Sequence, residues 1–190
     1  MAKAKPFIVG IGGTTRPSSS SERALRGFLA MLEEAGAETA AFTGQALNLP
    51  MYEPEAAAQS SQASAMVEAI RKCDALVIAS PGYHGSISGM IKNALDYIED
   101  LRDDARPYLH ERVVGCIGCA YGWQAANSTL SALRAVTHAL RGWPTPMGAA
   151  INSTGKLIDE TGKWVDIDAE RQLKLMSAQM MSFLSRAPNA

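Results

Sequence analysis

Between two apolar stretches the chain reads Gly12-Gly13-Thr14-Thr15-Arg16-Pro17-Ser18-Ser19-Ser20-Ser21: glycine at a turn, then hydroxyls, one guanidinium and the start of a helix. Glycine lets backbone approach a ligand closely, and hydroxyls and the free N–H groups of a helix N-terminus donate hydrogen bonds. The helix dipole and Arg16 both favour negative charge there. These residue types in this order make a cradle for one phosphate group, with Thr14, Arg16, Ser18, Ser19, Ser20 and Ser21 as its binding residues. The plainer reading is that the serines cap a helix and solvate a surface loop. Arg16 and a second loop, Ser80 to Ser88, favour the ligand.

The phosphate does not belong to a dinucleotide in the usual fingerprint, which needs G-x-G-x-x-G and an acidic residue ending the second strand. Here Gly10-Ile11-Gly12-Gly13-Thr14-Thr15 lacks the third glycine, and the second strand ends Ala41-Phe42-Thr43-Gly44. A Walker A loop is also absent, since Gly155-Lys156 is followed by Leu157. A phosphate cradle with no place for a second nucleotide points to a mononucleotide such as FMN. A flat isoalloxazine with polar edges needs backbone N–H and C=O groups along its rim and an apolar or aromatic wall. Pro81, Gly82, Tyr83, His84 and Gly85 can supply both.

Other chemistries are poorly served. Cys116-Ile117-Gly118-Cys119 spells C-x-x-C, but the pair ends a strand instead of opening a helix. Residues three apart in a strand point to opposite faces and sit roughly 10 Å apart, beyond the reach of about 7 Å between disulfide Cα atoms. His110 and His138 have no ligand-spaced partners and no H-E-x-x-H occurs, so no metal site is expected. Neither serine of Gly85-Ser86-Ile87-Ser88-Gly89 has glycine at both flanking positions, as a nucleophile elbow requires. Lys92 and Asp96 read as a helix-surface pair, and Met176, Met180, Met181, Phe183 and Leu184 as core. Tyr121 and Trp123 suit either the wall of a substrate pocket or a subunit contact.

These loops need strands to hold them. Apolar runs at 7–12, 38–43, 75–79, 113–118 and 146–151 alternate with helical periodicity at 19–35, from 59 to 72, at 88–101, 125–141 and 167–185. The stretch 44–61 reads as loop, and 152–164 as a hairpin or mobile insertion. Alternation along the whole chain predicts an α/β fold: a five-stranded parallel sheet of order 2-1-3-4-5 with helices on both faces. Its ligand site lies beyond the strand ends between strands 1 and 3, and loops 12–21 and 80–88 follow those two strands. At 190 residues, one domain over 1–190 is expected. A net charge of −1 without a basic run gives no sign of a nucleic-acid or membrane surface, and neither partner is expected. No apolar span reaches the length of a signal core or membrane helix, and three cysteines cannot all pair, so the cytoplasm is expected.

Over residues 7–185 the sequence resembles the NAD(P)H-dependent FMN reductase family of flavodoxin-like proteins. The phosphate-loop pattern G-S-x-R-x-x-S-x-[NS]-x-x-L is met by Gly13, Thr14, Arg16, Ser19, Ser21 and, one place along, Leu25. The pattern P-x-Y-x-x-S-x-x-G-x-x-K-N-x-x-D is met by Pro81, Tyr83, Ser86, Gly89, Lys92, Asn93 and Asp96, with His84 where asparagine is common. A third loop, often Gly-Gly in the family, is here Cys119-Ala120-Tyr121-Gly122-Trp123. The resemblance implies FMN as cofactor and NAD(P)H as hydride donor, with Ala120, Tyr121 and Gly122 flanking the ring and no catalytic acid, base or metal. It further implies small-molecule substrates, reduced flavin supplied to a separate flavin-dependent monooxygenase, and a homodimer or homotetramer. An FMN-retaining reductase of quinones, azo dyes or metal oxyanions stands beside this reading. A flavodoxin-type electron carrier is a third, disfavoured by the near-neutral charge. NADH and NADPH are not distinguished.

Overall fold

A computed structural model describes residues 5–54 and 60–186. Part of the loop expected over 44–61, and both termini, lie outside that range. The sheet centre is built from β1 (Phe7–Gly12), β3 (Ala75–Tyr83) and β5 (Val113–Ala120), all parallel, with β2 (Glu38–Thr43) beyond β1. Their near-continuous apolar runs follow from burial on both faces. Ile8, Val77 and Ile117 point into one core layer, whereas Val9, Leu76, Ile78 and Val114 point into the other.

Helices α1 (Ser20–Glu34) and α5 (Ile167–Arg186) cover the first face. Each is amphipathic: α1 buries Leu25, Phe28, Leu29 and Leu32, and α5 buries Leu173, Met176 and Met180. Helices α2 (Ser61–Lys72) and α3 (Gly89–Asp96) cover the second face, with Leu133 of α4 (Trp123–Ala139) joining the same layer. The helix expected over 88–101 tightens after Asp96 into a 3-10 turn, Tyr97–Leu101.

Among the described residues the sheet has seven strands, where five were expected. Beyond β5 the last position is split into β6 (Trp143–Pro144) and β7 (Ala149–Asn152), both parallel to β5. Thr145 N–H still donates to Val114 O at 3.0 Å, so the donor-less nitrogens of Pro144 and Pro146, on either side of it, face the open margin, where proline is tolerated. Two backbone donors near the break go to α5 side chains: Met147 N–H to Gln179 Oε1 at 2.8 Å and Ala150 N–H to Gln172 Oε1 at 3.2 Å.

The seventh strand, β4 (Ser86–Ile87), runs antiparallel to the end of β3. Ser80 to Tyr83 is therefore strand where loop was expected. Pro81 is tolerated because pairing with β1 stops at Ala79, so Ser80 and Pro81 are paired on the β5 side only, before β4 takes up Gly82 and Tyr83.

The segment 152–164 folds back across α1. Ile158 and Trp164 form an antiparallel bridge, and a Cβ on Gly27 would fall 2.6 Å from the Trp164 ring. At the opposite end of the sheet the buried Arg112 guanidinium donates to four carbonyls, those of Arg71 (2.8 Å), Cys73 (3.2 Å), Tyr108 (3.1 Å) and His110 (3.4 Å). A cation there also faces the negative end of α2.

Candidate active site

The loop after β1 turns at Gly13, whose φ is +101°, and closes on β3 through Gly13 N–H to Ala79 O at 3.4 Å. Thr14 Oγ1 accepts the Arg16 N–H at 3.1 Å, so this hydroxyl shapes the loop from within. Ser19 is the N-cap of α1, accepting Glu22 N–H at 3.3 Å, and its Oγ lies 3.4 Å from that of Ser21 in a buried pair. Ser18 is exposed and held at φ +55° by both its backbone groups. Its N–H donates to Glu22 Oε2 at 3.2 Å, and its carbonyl accepts from Arg23 Nε at 2.9 Å. The Arg16 guanidinium is exposed and has no partner among the described residues.

The second loop is a two-residue hairpin turn between β3 and β4, with His84 at φ +51° and Gly85 at φ +88°. Positive φ at both central residues matches the twist of the flanking strands. Ser80 Oγ accepts Ser88 N–H at 3.0 Å, and Ser88 caps α3. Tyr83 is 54% exposed at the hairpin end. At Gly82 a Cβ would collide with Thr129 Oγ1 and lie 2.9 Å from Ala120 Cβ, so the hairpin rests directly on α4 and the end of β5.

The third loop leaves β5 at the buried Ala120. Tyr121 is 81% and Trp123 55% exposed, on either side of Gly122 at φ +101°. Asn152, at the end of β7, accepts from Gly122 N–H (3.0 Å) and Thr154 N–H (3.2 Å) through one oxygen, tying this turn to the 152–164 segment.

Since β1, β3 and β5 are consecutive parallel neighbours, their three following loops share one rim. The residues expected at the site lie on these loops or on the strand and helix ends that border them. Thr14, Ser19 and Ser21 make intraloop bonds, Arg16 and Ser18 face solvent, and Ser20 begins α1. The set fits a phosphorylated, flat ligand. The first loop offers helix N-terminal donors and a free guanidinium, and a glycine at Gly82 keeps the hairpin close to β5. A hollow of 580 Å³ lined by Pro146, Gln179, Phe183 and Arg186 lies elsewhere and includes none of these loop residues.

The three cysteines are unpaired and buried. Cys116 belongs to one core layer and Cys119 to the other, the opposed facing that strand geometry requires. Burial pushes the Cys73 and Cys116 thiols up to about 11 and Cys119 to about 12. Asn93 accepts Tyr52 N–H at 2.8 Å and donates to Pro50 O at 2.8 Å, positioning the loop after β2. Lys92 and Asp96 pair on the surface. Among the described residues no cluster of His, Cys, Asp and Glu could hold a metal.

Four residues at the site went unread in the sequence: Glu22, Arg23, Arg26 and Asn152. Glu22 had a signal, because Ser19-Ser20-Ser21-Glu22 spells the S-x-x-E capping box. Asn152 had none, lying 30 positions from Gly122.

A family model described as NADPH-dependent FMN reductase matches residues 6–156. An FMN-dependent NADPH-azoreductase of Staphylococcus haemolyticus is 34% identical over 123 residues, 64% of this chain and 62% of that protein. A protein of the same description from Staphylococcus aureus is 33% identical over 117 residues, 60% of this chain and 58% of its own length. The chain thus matches less than two thirds of the length of these curated relatives. Among solved structures, the flavoenzyme NAD(P)H:(acceptor) oxidoreductase FerB of Paracoccus denitrificans superposes with a TM-score of 0.78 at 19% identity, covering 95% of this chain and 98% of that one. A flavodoxin, WrbA-like protein from Agrobacterium tumefaciens gives 0.63 at 14% identity, covering 96% and 100%. These superpositions establish a flavodoxin-like α/β fold.

Proposed function

We propose that this chain, which belongs to the NADPH-dependent FMN reductase family, binds FMN across its three strand-end loops and reduces it with NAD(P)H. When bound, the flavin supplies the two-electron chemistry at its ring. The protein's part is placement. Arg16, Ser18, Ser20 and the backbone donors around them hold the phosphate. Thr14, Ser19 and Ser21 keep that loop and the first turn of α1 in shape. Pro81, Gly82, Tyr83, His84 and Gly85 line one edge of the ring, and Ala120, Tyr121 and Gly122 flank the other. Hydride transfer needs stacking and orientation more than proton transfer, so no side-chain acid or base is assigned.

The observation that carries this reading is the common rim formed by the loops after β1, β3 and β5, with an unpaired Arg16 on it. Two outcomes for the electrons follow. In the first, reduced FMN is released to a separate flavin-dependent monooxygenase; in the second, FMN stays bound and an azo dye, quinone or metal oxyanion is reduced. The exposed Tyr121 and Trp123 suit a planar acceptor, and two relatives carry the azoreductase description. No helix among the described residues is long and apolar enough to cross a membrane. With three unpaired thiols, the cytoplasm is the proposed compartment.

Steady-state oxidation of NADH and NADPH with FMN, a quinone and an azo dye in parallel tests the reading. FMN-dependent oxidation is expected. Retention of yellow colour through dialysis selects the second outcome. Absence of both FMN binding and FMN-dependent oxidation overturns the proposal.

A further inference from the structure

The first turn of α1 already contains an anion. One Glu22 carboxylate oxygen accepts the Ser18 N–H at 3.2 Å; the other accepts from Arg26 Nε at 3.0 Å and Thr43 Oγ1 at 3.2 Å. Its side chain is only 13% exposed, and a Cβ on Gly13 would lie 3.2 Å from Glu22 Cβ, so Glu22 forms part of the loop wall. The Glu22 N–H goes to the capping Ser19. This is a capping box shifted by one residue: the carboxylate reaches the N–H before the cap instead of the cap's own.

A capping box and a phosphate site draw on the same resources, the unpaired N–H groups and the positive end of the helix dipole. We infer that Glu22 is an affinity-determining residue of the phosphate site, an internal competitor that weakens FMN binding and keeps the flavin exchangeable. The inference rests on the FMN reading above. Arg26 and Thr43 anchor the carboxylate, with Arg26 Nη2 also donating to Thr43 Oγ1 at 2.7 Å, so Glu22 is not free to swing away when a phosphate arrives. Arg23 Nε donates to the Ser18 carbonyl at 2.9 Å, fixing from the other side the residue whose N–H the Glu22 carboxylate takes. Like charges at neighbouring positions disfavour one another.

The test is fluorescence titration of the full-length protein with FMN and, separately, with riboflavin, which has the same ring and no phosphate. Glu22→Gln keeps the side chain's size and an amide oxygen for Ser18 but removes the charge. The expected result is a Kd for FMN about tenfold lower than wild type, with riboflavin unchanged and inorganic phosphate a stronger competitor of FMN. Glu22→Thr, which removes both charge and reach, is expected to change FMN affinity in the same direction and covers the case in which the glutamine variant does not fold. Unchanged or weaker FMN binding by a folded variant overturns the inference and leaves Glu22 a helix cap. Equal tightening of riboflavin also overturns it, since the effect would then lie at the ring. If the wild type binds neither flavin, the FMN reading itself fails, and this inference with it.

Discussion

An exposed guanidinium with no partner loses little by waiting and gains most when an anion arrives. Arg16 is in that condition, its backbone fixed by Thr14 and its side chain free. A hydrogen bond to a charged group contributes about 1.5–3 kcal/mol, so Arg16→Ala is expected to weaken FMN at least about tenfold while riboflavin binding holds. Equal FMN affinity in a flavin titration would remove Arg16 from the site. The thiols carry a different prediction. Burial raises Cys73 and Cys116 from the ordinary 9.0 to about 11, and Cys119 to about 12. Above pH 9 the unfolded chain therefore sheds protons that the folded one keeps. Stability from these groups is complete below about pH 9 and falls as pH rises towards 11, by roughly 1 kcal/mol per thiol at the first unit. Melting curves from about pH 8 to about pH 10.5 should show a shallower decline for Cys119→Ala than for wild type. Arg16 and the hydroxyls were legible in the sequence because the loop is contiguous. What Glu22 does was not, because its partner Thr43 lies 21 positions away.

Asn152 acts between elements. It joins the end of β7, the turn into α4 and the start of the 152–164 segment through one carboxamide oxygen. Asn152→Ala is expected to free the Gly122 turn and weaken FMN binding several-fold, with Asn152→Asp restoring it, since a carboxylate accepts the same two bonds. Failure of the aspartate to rescue affinity would show that the oxygen is not what holds the turn. The boundaries of β3 and of the last strand show why other parts of the layout escaped reading. Pro81-Gly82 has the composition of a loop, yet the chain there stays extended because one neighbour has ended and β4 supplies another. Residues 143–152 hold two strands because pairing with β5 stops at Pro144 and resumes at Ala149, a gap that only the neighbouring strand reveals. Helix α1 was legible from its apolar stripe and cap alone. Local pattern reports what a segment prefers; tertiary neighbours decide where it stops.

Across the molecule, work is divided between the two ends of the sheet. One end carries the loops of the proposed flavin site, held by glycines and side-chain bonds. At the other, Arg112 fastens the end of α2, the turn at 108–110 and the start of β5 with bonds to four carbonyls. Removing a buried partner from polar groups costs about 1–3 kcal/mol for each group left unsatisfied. Arg112→Met is thus expected to lower the urea midpoint strongly, by about 3 kcal/mol or more of stability. The folded fraction should keep wild-type FMN affinity, and a large change in affinity would show that the two ends are coupled. The split outer strand has one more effect. An open sheet presents a margin onto which an extended segment of another molecule can add, the first step towards fibrous aggregates. Here Pro144 and Pro146 offer no donor, and Gln179 and Gln172 occupy the Met147 and Ala150 N–H groups. An incoming strand meets an interrupted row of donors, so this margin resists templated growth even when the protein is crowded.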